Sequence, residues 1–161
     1  MDYVDRLRSE WARTVPEIDT SPAEVLGRVS RIASLLTVHI DEALTGSGLT
    51  RGELDLLSAL RRADRPMRAS EVSTVTQSSG AAITKRTDAL DRAGLIHRAV
   101  PDRDRRGVLL SLTDEGRATV DRLTPVRTAV ERDALADLDP DEAAQLAALL
   151  SRVLTRIDRH T

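Results

Sequence analysis

Cysteine and phenylalanine are absent from the 161 residues, and Trp11 and Tyr3 are the only aromatic side chains, 1% of the chain. Without cysteine there is no disulfide framework, no thiolate zinc site and no cysteine nucleophile, and a reducing cytoplasm is the expected compartment. Without aromatics, the core has to be built from aliphatic side chains, since 40% of the residues are hydrophobic and 31% charged, a globular balance. No apolar run approaches the roughly 20 residues of a membrane span. The start Met1-Asp2-Tyr3-Val4-Asp5 lacks the basic opening of a signal peptide. A chain of this length makes one domain rather than two enzyme domains.

Net charge is also nearly absent at −2, but it is unevenly placed. Residues 61–106 carry 11 basic side chains, ten Arg and Lys85, against 6 acidic ones. Residues 1–60 carry 6 basic against 10 acidic, and residues 107–161 carry 7 against 10. A basic middle between acidic ends suits one surface that meets a polyanion while the remainder repels it; an ordinary solvated face is the competing explanation.

Helix starts are legible where a side-chain oxygen can accept from a first-turn N–H. Ser21-Pro22-Ala23-Glu24, Thr50-Arg51-Gly52-Glu53 and Asp139-Pro140-Asp141-Glu142 each read as such a start, and Thr113 precedes Asp114 and Glu115, acids that suit the helix dipole. After Ser21, Val25, Val29, Ile32, Leu36, Ile40 and Ala43 form one stripe that ends at Gly46 and Gly48. Leu146, Leu149, Leu150, Val153, Leu154 and Ile157 stripe the last helix, and Val4, Leu7, Trp11 and Val15 a shorter first one. Broad stripes at both ends of a small chain predict a homodimer joined through the terminal helices, with a closed monomeric bundle as the alternative.

The texture changes between residues 49 and 112. A helix carrying Leu54, Leu57 and Leu60 gives way at Asp64-Arg65-Pro66, and a short helix around Glu71 to Thr76 follows. Gln77-Ser78-Ser79-Gly80 then leads into a helix that runs to Arg92 and stops at Gly94. Two helices across a tight turn form a helix-turn-helix. Leu95–Val100 and Gly107–Leu112 read as strands around Pro101-Asp102-Arg103-Asp104-Arg105-Arg106, a hairpin with a charged tip. The expected fold is therefore mainly α with a small β-hairpin, a winged helix-turn-helix.

The stretch from Leu49 to Gly116 resembles the MarR family of bacterial transcriptional regulators. Ser78-Ser79-Gly80 opens the recognition helix, Leu90 and Ala93-Gly94-Leu95-Ile96 close it, Asp104-Arg105-Arg106 lies in the wing, and Leu112-Thr113-Asp114-Glu115-Gly116 starts the next helix. Arg68 departs from the Ser or Thr helix cap frequent in the family. The resemblance implies a winged-helix DNA-binding lobe over 49–112, dimerisation through 1–48 and 113–161, and double-stranded DNA as partner. The geometry of an ideal helix agrees: with Ile83 as origin at about 100° per residue, Thr87 and Leu90 fall within about 40° and form the packed face. Ser78, Ala81, Lys85, Asp88 and Arg92 lie opposite. Small residues at the front (Ser78, Ser79, Gly80, Ala81) let the helix start approach the major groove, with Ser78 and Thr84 as donors and Lys85 on base or phosphate. Arg103, Arg105 and Arg106 reach phosphates or the minor groove, with Asp104 orienting Arg106. The runner-up function is a winged helix used as a protein-interaction module without specific DNA binding.

A subgroup of the family that responds to urate and related purines has an extra N-terminal helix with a Trp, plus an Asp and two Arg in the lobe. Trp11, Asp55, Arg86 and Arg98 are similar to that set, which implies a small anionic ligand, urate, a related purine or a phenolic compound. An anionic planar ligand suits guanidinium forks and an aromatic wall. Plainer roles stay open: Asp55 sits four residues after Arg51, the spacing of a surface ion pair, Trp11 continues a helical stripe, and Arg98 can serve as a phosphate contact. His39, beside Leu36 and Ile40, is expected to be a satisfied buried histidine rather than a metal ligand; His97 and His160 complete the set. No nucleophile elbow, Gly-rich phosphate loop or metal-binding spacing frames the Ser, His and Asp residues, so neither enzyme nor cofactor is expected.

Overall fold

The computed structural model describes residues 1–100 and 107–159; Arg103, Asp104, Arg105 and Arg106 of the wing tip, and His160, lie outside the described residues. The chain runs α1 (Tyr3–Thr14), α2 (Ala23–Ala43), α3 (Arg51–Ala63), β1 (Met67–Arg68), α4 (Ala69–Thr76), α5 (Gly80–Arg92), β2 (Ile96–Ala99), β3 (Leu109–Leu112), α6 (Asp114–Asp133) and α7 (Pro140–Asp158). The expected hairpin is there, with shorter strands than the sequence suggested. β1, too short to show a period, adds a third antiparallel strand in the order β1-β3-β2, with Met67 and Arg98 both opposite Leu110.

Three of the four expected helix starts form as read. Thr50 and Asp139 close capping boxes with Glu53 and Glu142, and Thr113 Oγ accepts from the Gly116 N–H. Ser21 does not cap α2. Asp19, two residues earlier, accepts from both the Ser21 N–H (2.8 Å) and its hydroxyl (3.1 Å), and Pro22 enters the helix in α conformation without a side-chain cap. Asp64 and Gln77, neither of them glycine, take left-handed conformations that end α3 and α4, a strain of roughly 1 kcal/mol or more each.

The core is aliphatic, as the lack of aromatics requires. Leu54, Leu56, Leu57 and Leu60 of α3 pack with Val72 of α4, Ile83 and Leu90 of α5, Ile96 of β2, Leu110 of β3, and Val120 and Leu123 of α6. Each fully buried side chain of this kind contributes about 1.5–3 kcal/mol. α6 crosses behind α3 and also packs on α2, which joins the winged lobe to the long helices.

The terminal stripes behave differently from the core. On α2, Ile40 is buried and Leu36 half-buried, whereas Val25, Val29 and Ile32 are exposed, along with Leu26, Leu35 and Val38. His39 is exposed rather than buried: one residue from Ile40 on a helix is about 100° away, off the packed face. α7 has no buried residue, and Leu146, Leu149, Val153, Leu154 and Ile157 are exposed. α1 is tied to α2 by Val4 packing over Gly27 and by Arg28, which bonds Asp2 (2.8 Å) and Asp5 (2.6 Å).

Candidate DNA-binding face

α5 is positioned from both sides. Inside, Ile83, Thr87 and Leu90 are buried; outside, Ala81, Thr84, Lys85, Asp88 and Arg92 are exposed, the division expected from the helical period. The turn from α4 is held by Ser73, whose hydroxyl donates to the Ser78 carbonyl (2.6 Å) and whose carbonyl accepts from the Ser78 N–H (3.1 Å). Ser79 caps the helix through the Ala82 N–H (3.3 Å), and Thr84 donates to the Gly80 carbonyl (3.0 Å). A Cβ at Gly80 would meet no atom within 4 Å. Packing within the chain therefore does not demand glycine there.

Ser78 is turned inward. Its hydroxyl donates to the Thr76 carbonyl (3.2 Å) and accepts from Arg86 (2.7 Å), so its only proton is already committed. The Arg86 guanidinium lies across the start of α3, where a Cβ on Gly52 would come within 2.5 Å of it. Arg86 thus links the start of the recognition helix to α3. At the other end of the motif, the Arg65 guanidinium and the Arg68 N–H hold the Glu71 carboxyl below the usual carboxylate range. That arrangement lets α4 begin after Arg68 without a hydroxyl cap.

Three of the four residues of the implied ligand set take separate partners, and the fourth, Trp11, is largely open to solvent. Asp55, on the Gly52 helix, is clamped between Arg51 (3.6 Å) and Arg127 of α6 (2.7 Å). The expected i,i+4 pair with Arg51 is therefore present but secondary. Arg127 also bonds Glu131 (2.7 Å), and although burial opposes its charge, these carboxylates hold its guanidinium above the ordinary value. Arg86 is on Ser78, Arg98 of β2 pairs with Asp88 of α5, and Trp11 on α1 is 44% exposed. Nothing local in the sequence points to Arg127, because its partner lies 72 residues away; only its Glu131 spacing is visible locally. Arg127 also lines a cleft of about 550 Å³ between α3 and α6, with Arg61, Arg62, Asp121 and Thr124. Among the described residues no His, Asp or Glu group could hold a metal ion, and no described helix is long and apolar enough to cross a membrane.

Exposed α5, preceded by α4 across a tight turn and followed by a β2–β3 hairpin, defines a winged helix-turn-helix protein. The MarR family model matches residues 47–107. The chain is 32% identical to the HTH-type transcriptional regulator PecS of Dickeya dadantii (strain 3937) over 152 residues, 93% of this chain and 92% of that protein. Among solved structures it is similar to AbsC, a MarR family transcriptional regulator from Streptomyces coelicolor, at TM-score 0.75 and 25% identity, covering 88% of this chain and 98% of AbsC. A mutant MarR from E. coli complexed with operator DNA has the same fold, at TM-score 0.71 and 24% identity over 89% of this chain and 97% of that one. The chain belongs to the MarR family of DNA-binding transcriptional regulators.

Proposed function

We propose that the protein is a homodimeric repressor that binds a pseudo-palindromic operator and leaves it when a small anionic ligand binds. Residues 49–112 act as the DNA-binding lobe, and residues 1–48 and 113–161 as the dimerisation region. α5 enters the major groove with Ser79, Gly80, Ala81, Thr84 and Lys85 toward the bases and phosphates, Thr84 as an acceptor because its proton goes to the Gly80 carbonyl, while Arg103, Arg105 and Arg106 hold the flanking backbone or minor groove. Ser78 supports this face from within. Half-sites for such a dimer lie about 10 base pairs apart.

The observation that carries the reading is the outer face of α5, small at its start, open over Gly80 and exposed at Lys85, on a chain whose relatives are transcriptional regulators. For the ligand, urate, a related purine or a phenolic compound, the support is the resemblance at Trp11, Asp55, Arg86 and Arg98. Arg86 adds a physical route, since it joins α3 to the first residues before the DNA-reading helix. A ligand that draws this guanidinium away would loosen the Ser78 turn.

Fluorescence anisotropy with the duplex upstream of the protein's own gene tests both parts. Affinity should fall by roughly 10³-fold or more between about 50 and 200 mM salt, as counterion release requires for several phosphate contacts. Salt-independent binding would favour the protein-interaction module instead. Urate, xanthine and salicylate are then titrated into the complex; DNA release by one of them with a change in Trp11 fluorescence is expected, and silence from all three would remove the ligand.

Gly52→Ala tests the Arg86 route. The added methyl lies within 2.5 Å of a flexible guanidinium, so the side chain moves and the protein still folds. The loss of its bond to Ser78 should lower operator affinity about tenfold, the equivalent of one charge-assisted hydrogen bond. An operator affinity equal to the parent's would show that the α3–α5 link does not govern DNA binding.

A further inference from the structure

The outer face of α5 carries a carboxylate in the wrong place for a DNA-binding surface, while exposed Asp91, three residues on, sits nearer the packed face. Asp88 is half-exposed and lies on the side opposite Ile83, Thr87 and Leu90, between Lys85 and Arg92. Duplex DNA presents a negative charge about every 1.7 Å of its axis, and a like charge set against it costs affinity and on-rate. The Arg92 guanidinium does not answer this charge, since its Nε donates to the main-chain carbonyl of Asp88 at 3.1 Å. Among the described residues, the ion pair on the Asp88 carboxylate comes from Arg98, which reaches across from β2.

We propose that Asp88 is a masked negative charge on the DNA-reading helix and that Arg98 is the mask, its charge cancelling that of Asp88 in the field that DNA meets. The inference rests on α5 being the helix that meets DNA. Both side chains are substantially exposed, 33% for Arg98 and 50% for Asp88, and an ion pair this open contributes little to folding. Its effect on the field of the helix is not small in the same way, because the partner is a polyanion rather than solvent. With the pair intact the position is neutral, with Arg98 withdrawn it is repulsive, and with Asp88 neutralised it becomes attractive. An anion that engages Arg98 would bare the carboxylate without moving the helix at all.

The test is a double-mutant cycle on the full-length protein, with operator affinity measured across a salt series. Asp88→Asn should tighten binding roughly three- to tenfold at low salt, and Arg98→Ala should weaken it by a similar factor. The salt slopes of the two should shift in opposite directions by about one unit each. The double variant should return to within about twofold of the parent, with melting midpoints unchanged throughout. If Asp88→Asn is silent and the double variant is as weak as Arg98→Ala, then Arg98 contacts DNA itself and the masking role is wrong. If Asp88→Asn weakens binding, the carboxylate reads a base and the proposal is likewise overturned. A melting midpoint that falls in Arg98→Ala and stays low in the double variant would assign Arg98 a structural role and overturn it as well. Lys85→Ala, run alongside, separates the two levels. Weaker binding there keeps α5 as the DNA-reading helix whatever the cycle shows. Unchanged binding in both Lys85→Ala and Asp88→Asn removes that reading and the mask together.

Discussion

Gly116→Ala is expected to cost the folded state about 3 kcal/mol or more, the upper range for overpacking a core contact. A Cβ on Gly116 would stand 1.9 Å from the Leu95 carbonyl oxygen and 2.9 Å from its carbon. Those atoms are main chain and cannot swing aside as a side chain would. The same carbonyl already accepts from the Thr113 N–H (3.1 Å), while the Thr113 hydroxyl donates to the Gly94 carbonyl (2.8 Å) and accepts from the Gly116 N–H (2.9 Å). Moving α6 away to make room would therefore break the joint between the end of the recognition helix, the start of β2 and the first turn of α6. Urea unfolding followed by circular dichroism reads the loss as a lower midpoint at unchanged slope. A variant as stable as the parent would mean that α6 is free to shift against the lobe, contrary to the close approach described.

Placing arginine at both Leu149 and Val153 is expected to give a monomer and to lower operator affinity by roughly 10²–10⁴-fold, the range of effective-concentration gains lost when two linked binding units separate. α7 contributes no buried residue to its own chain, yet Leu146, Leu149, Val153, Leu154 and Ile157 form an apolar stripe along it. Val25, Val29 and Ile32 do the same on the first half of α2. Surfaces of this extent on a small chain are best covered by a second copy. Because Leu149 and Val153 pack on little within the chain, the substitutions leave the winged lobe intact, so the lost affinity belongs to assembly. Light scattering should give about twice 17.6 kDa for the parent and half of that for the variant. A variant that remains dimeric would place the interface elsewhere, and a parent that is monomeric would remove the dimer from the mechanism.

What the sequence made legible is what local chemistry decides. Thr50, Asp139 and Thr113 could be read as helix starts because each cap and its partner lie within three residues, and the recognition helix could be divided into two faces because its period is intrinsic. Ser21 departs from the expected capping role for an equally local reason: Asp19 offers its N–H and hydroxyl a charged acceptor, which outcompetes capping. The apolar neighbours of His39 suggest a buried side chain, but the helix turns it away from Ile40 toward solvent. The site shows the sharper limit. Residue types on α5 were readable, yet the partners that decide what each does were not, since Arg127 meets Asp55 across 72 residues and Arg98 meets Asp88 across a reversal of the chain. Ser78 shows the same limit on a small scale. Its position suited a donor to DNA, and only the fold reveals that Arg86 and the Thr76 carbonyl have engaged it first.

The bare helix α7 has a consequence for the amount of protein as well as for its shape. In a dimer built on it, part of the burial that stabilises each chain exists only when two chains meet, so the folded population obeys mass action. Each tenfold dilution then removes about 1.4 kcal/mol from the net stability of the assembly. A cell with few copies would hold a protein that is scarcer and also more prone to unfolding and proteolysis, and occupancy of the operator would fall faster than copy number does. In such a dimer the apolar stripe would turn a graded change in expression into a threshold.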